Sequence, residues 1–367
     1  MRLRRTIRMF LLFTIIIMST VATGRSSSTA QSNIISYGEI SYSNIALPDG
    51  SLSRLHVDGN KIKNAQGQQV LLRGAAHASR SYYYNLDGAP AHYSQGQQDQ
   101  YSYMKNWGAT VVMIGISMPP SGSDGSDWNT RLNVMEAQVD YAEDVGLYAL
   151  IDGFQSYNVG WIVGTWTSAD WATWISAWED VATRLKGRTN VIYDLIAEPS
   201  GISAETWVTR ARQCIDAIRT IDPDIIVICE ALSVNEWYDD GFAYQKNIGI
   251  NRPNLIFDYH TFQFESRTET PSYASHYSWF NQIGGVWLLD NDYPVISQQF
   301  NADSRNPNCE LWLTTILEFF HDYDIGYTGW LWGTFQSDGE WFDMCNDWKG
   351  TPSAQGLVLQ KYLQTSN

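Results

Sequence analysis

Past residue 50, the chain alternates short, unbroken apolar runs with longer segments in which apolar residues recur every three or four positions. Unbroken apolar runs are typical of parallel strands that helices cover on the outside, and the longer spacing is typical of amphipathic helices. The apolar runs predict strands at 69–75, 110–117, 147–153, 191–197, 225–231, 254–260, 294–300 and 326–332.

The helical pattern is clearest in two of the intervening segments, 171–185 and 204–219, where the apolar residues fall on one helical face. Eight strand–helix units in about 300 residues predict the α/β fold class, as a (β/α)8 TIM barrel that forms a single domain over residues 51–367. A doubly wound open sheet is the alternative, but no glycine-rich phosphate loop follows the first predicted strand. Residues 55–67 predict a small N-terminal β-hairpin that caps the bottom of the barrel.

The first 24 residues differ in character from the rest. Four arginines precede an apolar stretch over residues 9–22, and small residues and a serine-rich run follow it. This order predicts a secretory signal peptide over residues 1–24, with an uncleaved anchor as the alternative. The mature chain is then expected to be secreted, to the extracellular space or the cell surface. No integral membrane span is expected in it, because no later segment is long and apolar enough.

Residues 25–50 form a Ser-rich lead-in that ends in a stretch of high β propensity. The simpler interpretation is a linker followed by a lead-in strand. The alternative is a connector strand that adds to the sheet edge of a neighbouring subunit. That alternative would support self-association and a self-assembling surface protein.

Charge and aromatic content narrow the range of partners. Asp and Glu outnumber Lys and Arg by 39 to 24, which gives a formal net charge of −15. Phosphate backbones repel such a chain, so no nucleic-acid partner is expected. The chain also contains 16 Trp and 21 Tyr. These side chains either line a surface on which sugar rings stack or fill an unusually Trp-rich core.

In a (β/α)8 barrel, the chemistry lies at the C-terminal ends of the strands. The residues at the predicted strand ends are Arg73, His77, Asp152, Glu198, Glu230, His260, Gln298, Gln299, Trp330 and Trp332. Two carboxylates that face each other across the mouth of such a barrel would suit glycoside hydrolysis. Glu198 is the candidate general acid, and a plain salt-bridge partner is the alternative interpretation.

Six segments follow one another in an order and spacing that are hard to produce by accident. They are LHVDGNKIKNAQGQQVLLRGAAH, GATVVMIGIS, YDLIAEPS, FDYHTF, PVISQQFN and GYTGWLWG. With them the chain resembles glycoside hydrolase family 5, from about residue 52 to the C-terminus. The resemblance implies a retaining hydrolase of β-linked oligo- or polysaccharides. It places Glu198 at the acid/base position and Gln299 at the nucleophile position, and it retains His260.

Four positions depart from the family pattern. Ala197 replaces the Asn that would bind the sugar 2-hydroxyl, and Gln299 replaces the nucleophilic Glu. Met113 replaces the Arg that would keep that carboxylate ionised, and Phe154 replaces a His. An amide oxygen is too weak a nucleophile to form a glycosyl–enzyme ester, and a buried Arg without a partner would be costly. These linked losses favour a non-hydrolytic barrel that is retained for carbohydrate binding or for an extracellular structural role.

The alternative is an active β-glycan hydrolase, cellulase-like or mannanase-like, in which a relocated carboxylate works with Glu198. Glu230 is one candidate, because its position in the fifth strand points its side chain inward. Further candidates on the top loops are Glu265, Asp303 and Glu340. Glu230 has an equally good structural interpretation, in which it pairs with Arg73 or hydrogen-bonds to His260.

The resemblance also implies a surface that binds sugar. Trp332 matches the aromatic platform that the family places under a sugar ring. Trp330, His77 and Glu230 lie at neighbouring strand ends and would complete the substrate-binding side. Aromatic rings bind sugar without any carboxylate, so this function could remain after the catalytic pair is lost.

The four cysteines lie at 214, 229, 309 and 345 without a CxxC pair. A zinc site is therefore not expected, and neither is any other metal or cofactor. Cys309 and Cys345 follow the seventh and eighth predicted strands, so a disulfide between them would tie two adjacent top loops beside the platform. Cys214 and Cys229 either pair with each other or remain buried thiols.

Overall fold

The computed structural model describes residues 52–77, 97–120, 127–154, 163–267, 269–333 and 341–365. The proposed signal peptide, the segment 25–50 and the loop residue Glu340 lie outside the described residues. Their boundaries and roles stay predictions. Of the helices that the structure describes, none has the length and apolar content that a membrane crossing requires.

Eight parallel strands in the described part of the chain close into a barrel, which confirms the predicted fold class. The described residues contain eleven strands in all: β1 (His56–Asp58), β2 (Lys61–Lys63), β3 (Arg73–His77), β4 (Val111–Ser117), β5 (Tyr148–Phe154), β6 (Val191–Asp194), β7 (Val227–Glu230), β8 (Leu255–Asp258), β9 (Thr261–Gln263), β10 (Val295–Ala302) and β11 (Gly326–Trp332). The barrel strands β3 to β8, β10 and β11 pair in chain order, and β11 returns to pair with β3. The short strand β9 continues alongside β10.

Helices cover the outside of this barrel. They are α1 (Gln97–Trp107), α2 (Trp128–Asp144), α3 (Ser168–Leu185), α4 (Ala204–Ile221), α5 (Ala243–Asn247), α6 (Tyr273–Gln282), α7 (Gly285–Asp290), α8 (Cys309–Asp322) and α9 (Ala354–Gln364). The helices predicted at 171–185 and 204–219 are α3 and α4. A capping box between Thr167 and Asp170 starts α3, and its buried face presents Trp171, Trp174 and Trp178 to the barrel.

The core divides into two layers because successive side chains of a strand point to opposite faces. Along β4, Val111 and Met113 belong to the cluster that fills the barrel interior. Val112 and Ile114 belong to the cluster between the strands and the helices. Much of the tryptophan content is core material, because Trp174, Trp178, Trp207 and Trp332 are fully buried.

The antiparallel pair β1–β2 lies at the N-terminal end of the barrel, as predicted. The preceding residue Arg54 forms an ion pair with Asp222 at 3.1 Å, and its guanidinium also donates to the backbone oxygen of Arg188 at 2.8 Å. The backbone N–H of Val57 donates to Asn254 Oδ1 at 3.0 Å. Arg188, Asp222 and Asn254 lie in the segments that lead into β6, β7 and β8. The hairpin is therefore fixed to the bottom of the barrel.

The structure does not contain the disulfide expected between Cys309 and Cys345. All four cysteines of the chain are described, and all four are buried free thiols. Cys309 begins α8, where its thiol donates to the backbone oxygen of Ala302 at 3.5 Å. Cys345 instead lies in a short bridge opposite Pro352. Burial raises the pKa of both thiols, that of Cys309 to about 12, so neither is a reactive thiolate.

Candidate active site

Glu198 lies four residues beyond the end of β6 and has an unusual backbone conformation. Its φ of +52° is in the left-handed region, which costs a residue with a side chain about 1 kcal/mol. Its backbone N–H donates to Glu230 Oε2 at 2.7 Å. This bond fixes the turn, and 11% of the Glu198 side chain stays exposed.

His260 lies two residues beyond the end of β8, among a group of carboxylates. Its Nδ1 is 2.6 Å from Glu198 Oε1, and its Nε2 is 3.1 Å from Glu230 Oε1 and 3.3 Å from Asp258 Oδ2. Burial acts to lower the pKa of this imidazole, but the carboxylates, Glu230 foremost, outweigh burial and raise it well above its usual value. His260 is therefore a buried imidazolium that holds Glu198 in place.

Glu230, at the end of β7, is fully buried and connects the other groups. It accepts the backbone N–H of Glu198, contacts His260 and lies 3.4 Å from Gln298 Nε2. Burial raises its pKa well above the usual value, the charges of Asp258 and Asp152 add to this effect, and His260 opposes it. Of the two structural partners considered for Glu230, the structure shows His260 and not Arg73.

Arg73 was expected at the C-terminal end of the first barrel strand, and that placement is wrong. It is the first residue of β3, in register with Tyr327 at the start of β11. The strand prediction began several residues too early, so it placed Arg73 nearer the top than it is. Its charge is at the opposite end of the barrel from Glu198.

Gln299 lies in β10 and is almost completely buried. Its amide Nε2 donates to Asp152 Oδ2, near the end of β5, at 3.4 Å. Burial, with the charges of Asp258 and Glu198, raises the pKa of Asp152 to about 7, and His260 opposes the shift. The amide of Gln299 is therefore hydrogen-bonded to a carboxyl group.

Two buried acids of this site were missed at the sequence level, Asp194 in β6 and Asp258 in β8. The signal was present, because each is the single acid within an otherwise apolar strand, in IYDLIA and LIFDYH. An acid inside such a run is expected to face a polar partner in the interior. Burial raises the pKa of Asp194 well above its usual value, and the charges of Glu230 and Asp152 add to this effect.

A family model decides what kind of barrel this is. The Cellulase model, described as glycosyl hydrolase family 5, matches residues 64–336. The chain belongs to glycosyl hydrolase family 5. This confirms the resemblance inferred from the strand-end segments.

Curated relatives of this family 5 chain are endoglucanases. Endoglucanase CelA of Streptomyces lividans is 26% identical over 220 residues, which cover 56% of this chain and 42% of the relative. Endoglucanase Z of Dickeya dadantii is 23% identical over 281 residues, which cover 76% of this chain and 60% of the relative. The chain thus spans about half the length of the curated relatives it matches.

Solved family 5 structures share the fold. A β-glucanase of Saccharophagus degradans in complex with cellotetraose matches with a TM-score of 0.68 at 20% identity, covering 88% of this chain and 97% of that chain. A Glu→Gln variant of the endoglucanase Cel5A catalytic domain of Thermobifida fusca, also in complex with cellotetraose, matches with a TM-score of 0.64 at 18% identity. It covers 85% of this chain and 97% of that chain.

The family's aromatic platform was expected at Trp332, and the structure corrects this. Trp332 is fully buried, with its ring 4.7 Å from that of Trp107 and packed against Gly350. A ring enclosed on this side has no free face for a sugar. Trp330 is only half-buried and stacks on Phe154 at 6.4 Å, so it is the more accessible aromatic of β11.

The remaining predicted site residues have clear positions. His77 is buried, with Nε2 2.7 Å from Gln100 Oε1, and burial lowers its pKa to about 4. Ala197 is also buried, and its backbone N–H donates to the backbone oxygen of Gly153 at 3.3 Å. None of these contacts joins His77 or Ala197 to the Glu198 carboxylate.

Two of the proposed relocated acids are engaged elsewhere. Arg305 contacts Glu265 at 2.9 Å and Asp303 at 2.6 Å. Asp303 is buried in this contact, whereas Glu265 is on an exposed loop. The structure brings neither of them to Glu198.

A cavity of about 540 Å³ opens beside His260, between β9 and helices α6 and α8. Its wall combines polar side chains with five aromatic ones, which are Trp237, Phe262, Phe264, Trp279 and Trp312. Trp237 and Phe264 are 45% and 46% exposed. A concave aromatic wall with a few polar groups is typical of sites for small ligands.

Proposed function

We propose that this family 5 barrel binds β-linked gluco-oligosaccharides at the C-terminal end of its strands and does not hydrolyse them through a glycosyl–enzyme intermediate. Gln299 is the observation that carries the second part. It occupies the nucleophile position, and an amide cannot displace the leaving group to form the ester that a retaining mechanism requires. The amide nitrogen of Gln299 is held by its hydrogen bond to the buried Asp152 carboxyl group.

The binding part of the proposal rests on the surfaces beside Glu198. Trp330 and Trp237 present partly exposed rings at this end of the barrel, and Glu198 keeps an exposed carboxylate edge. The curated relatives are endoglucanases, and two solved relatives hold cellotetraose. One of those two carries a Glu→Gln exchange, so such an exchange in a barrel of this family is compatible with cellotetraose binding.

Calorimetric titration with cellotetraose, together with chromatography of the sugar after long incubation, tests both parts. We expect saturable binding and intact cellotetraose. Trp237→Ala and Trp330→Ala should each weaken binding by about tenfold, since aromatic–sugar contacts of this kind are worth about 1 kcal/mol or more. The control is Tyr277→Ala on α6, where the exposed ring contacts Tyr323 after the end of α8, and it should bind normally.

Two results would contradict the proposal. Folded protein without any affinity for cello- or manno-oligosaccharides would remove the binding part. Turnover that disappears in Glu198→Gln would replace the second part with hydrolysis by a relocated acid.

We further propose that the chain is exported and that residues 25–50 form a linker and lead-in strand, with a connection to a second copy as the alternative. The support is the arrangement of charge and apolar residues in 1–24 and the β propensity of the segment that follows. Sedimentation of the mature chain with and without residues 25–50 tests the connection. Identical monomeric behaviour of both forms would contradict it.

A further inference from the structure

Three carboxylates beneath the Glu198–His260 pair come together in the interior of the barrel. Asp152, Asp194 and Glu230 are on the adjacent strands β5, β6 and β7, and Asp152 is in direct register with Asp194. One oxygen from each lies within 4.8 Å of the others, and all three residues have no exposed surface. Like charges held this close, away from water, repel strongly unless something neutralises them.

The nearest positive charge is already engaged. His260 contacts Glu198, Glu230 and Asp258, and it reaches neither Asp152 nor Asp194 in any of these contacts. Asp194 accepts one bond, from the backbone N–H of Ile196 at 3.3 Å, and Asp152 accepts one from Gln299. The other oxygens of these two aspartates receive no hydrogen bond from the described residues.

An uncharged residue supplies an independent observation. Gln298 in β10 is fully buried, and its amide nitrogen is 3.4 Å from Glu230 Oε1, so the amide group lies against the cluster. Its Oε1 receives no hydrogen bond from any residue that the structure describes. A buried amide oxygen without a donor is rare, because leaving it unsatisfied costs about 1–3 kcal/mol.

We propose that Asp152, Asp194 and Glu230 form a buried site for one Ca²⁺ ion, and that the Gln298 amide turns over on binding so that its oxygen, in place of its nitrogen, faces Glu230 and becomes the fourth donor. All four donors are oxygens, which hard cations prefer and which disfavour zinc. Ca²⁺ accepts irregular sets of carboxylate and amide oxygens, whereas Mg²⁺ requires octahedral geometry and retains several waters. This site departs from the expectation, formed on cysteine spacing, that no metal is bound.

The ion would support the active site from below without touching a sugar. Glu230 is a ligand on one side, and on the other it holds the Glu198 backbone and the His260 ring. Calcium would fix Glu230 and, through it, the strained turn at Glu198. This role does not depend on whether the barrel hydrolyses its ligand.

The test uses the mature chain, treated with EDTA and exchanged into metal-free buffer. Elemental analysis after equilibration with Ca²⁺ should show one ion per chain, and about 1 mM CaCl2 should raise Tm by several degrees, with a smaller effect from MgCl2. Asp194→Asn should abolish the calcium-dependent rise in Tm. In EDTA the same variant should be at least as stable as the native chain, because it removes one of three repelling charges.

A control and a second variant make the result decisive. Glu265→Gln makes the same carboxylate-to-amide change on an exposed loop and should keep the full calcium response. Gln298→Leu should weaken calcium binding by about tenfold, because it removes one neutral ligand and keeps the charges. Native protein that binds no calcium and has the same Tm in EDTA and in CaCl2 would overturn the proposal. Shared protons would then neutralise the carboxylates.

Discussion

Gln299 and Asp152 form the hydrogen bond that most clearly separates this site from a retaining hydrolase. The amide of Gln299 donates to the Asp152 carboxyl group, whose pKa burial raises to about 7. A carboxylate at position 299 would face Asp152 instead of donating to it. Restoring the family residue at this one position therefore places two acids against each other.

The first prediction follows from this pair. Gln299→Glu alone should lower the free energy of unfolding by about 3 kcal/mol, since it buries a charge without a partner, and should give no retaining hydrolase. Met113 is buried in the barrel interior, where the family pattern has Arg. Adding Met113→Arg should recover part of that loss, so the two changes should not be additive.

Urea unfolding of the native chain, both single variants and the double variant, all in EDTA, measures this coupling. Met113→Arg alone is the matched control and should destabilise the chain through its unpaired cation. Vigorous retaining hydrolysis by Gln299→Glu on its own would contradict the idea that the losses are linked.

At the residue scale, the sequence predicted positions along strands better than contacts between them. Glu198 and His260 follow strands β6 and β8, and Gln299 lies within β10, so each belongs to the strand segment in which the sequence placed it. The burial of Trp332 was not predictable from its own strand. It depends on Trp107, in the first helix, and on Gly350, in the loop that follows β11. Packing of this kind depends on the tertiary structure and leaves no local signal.

The interruption after β8 shows what an element-level pattern misses. The run 254–260 predicts one strand, but the structure has β8 ending at Asp258 and β9 starting at Thr261. Asp258 Oδ1 accepts the backbone N–H of Gln298 at 2.9 Å, and Ser297 Oγ donates to the backbone oxygen of Tyr259 at 2.9 Å. Side-chain hydrogen bonds thus replace backbone bonds between β8 and β10 here. On its other edge, β10 shifts register against β11 between Ser297 and Phe300. Apolar periodicity carries no information about such replacement.

The second prediction concerns the start of α3. Thr167 accepts the backbone N–H of Asp170 at 3.2 Å, and Asp170 accepts the backbone N–H of Thr167 at 2.7 Å. Thr167→Ala should lower the free energy of unfolding by about 1 kcal/mol, because the backbone N–H of Asp170 loses its side-chain acceptor.

Thermal or urea unfolding checks the value, with Thr173→Ala as control on the same helix. Thr173 is exposed and bonds only back to Ala169 in the preceding turn, so alanine there should be neutral or slightly stabilising. Equal losses in both variants would show that the cap does not contribute.

The third prediction concerns the thiols of the whole molecule. Because all four cysteines are buried and free, the native protein should react slowly with a thiol reagent such as Ellman's reagent. After denaturation without reductant, four thiols per chain should react, and reductant should leave Tm unchanged. Two reactive thiols instead of four would show that a disulfide forms in the protein as isolated. Cys214→Ala and Cys345→Ala would then identify the pair by which remaining thiols react.

Closure of the barrel by β11 against β3 joins segments about 250 residues apart in the chain. Every barrel strand between them adds apolar side chains to an interior that stays open until this last pairing forms. Contacts of such long sequence separation fold slowly, and a growing nascent chain shows two unpaired strand edges until residue 332 has left the ribosome. The last step of barrel folding therefore requires β11, and chains that end before β11 are expected to aggregate.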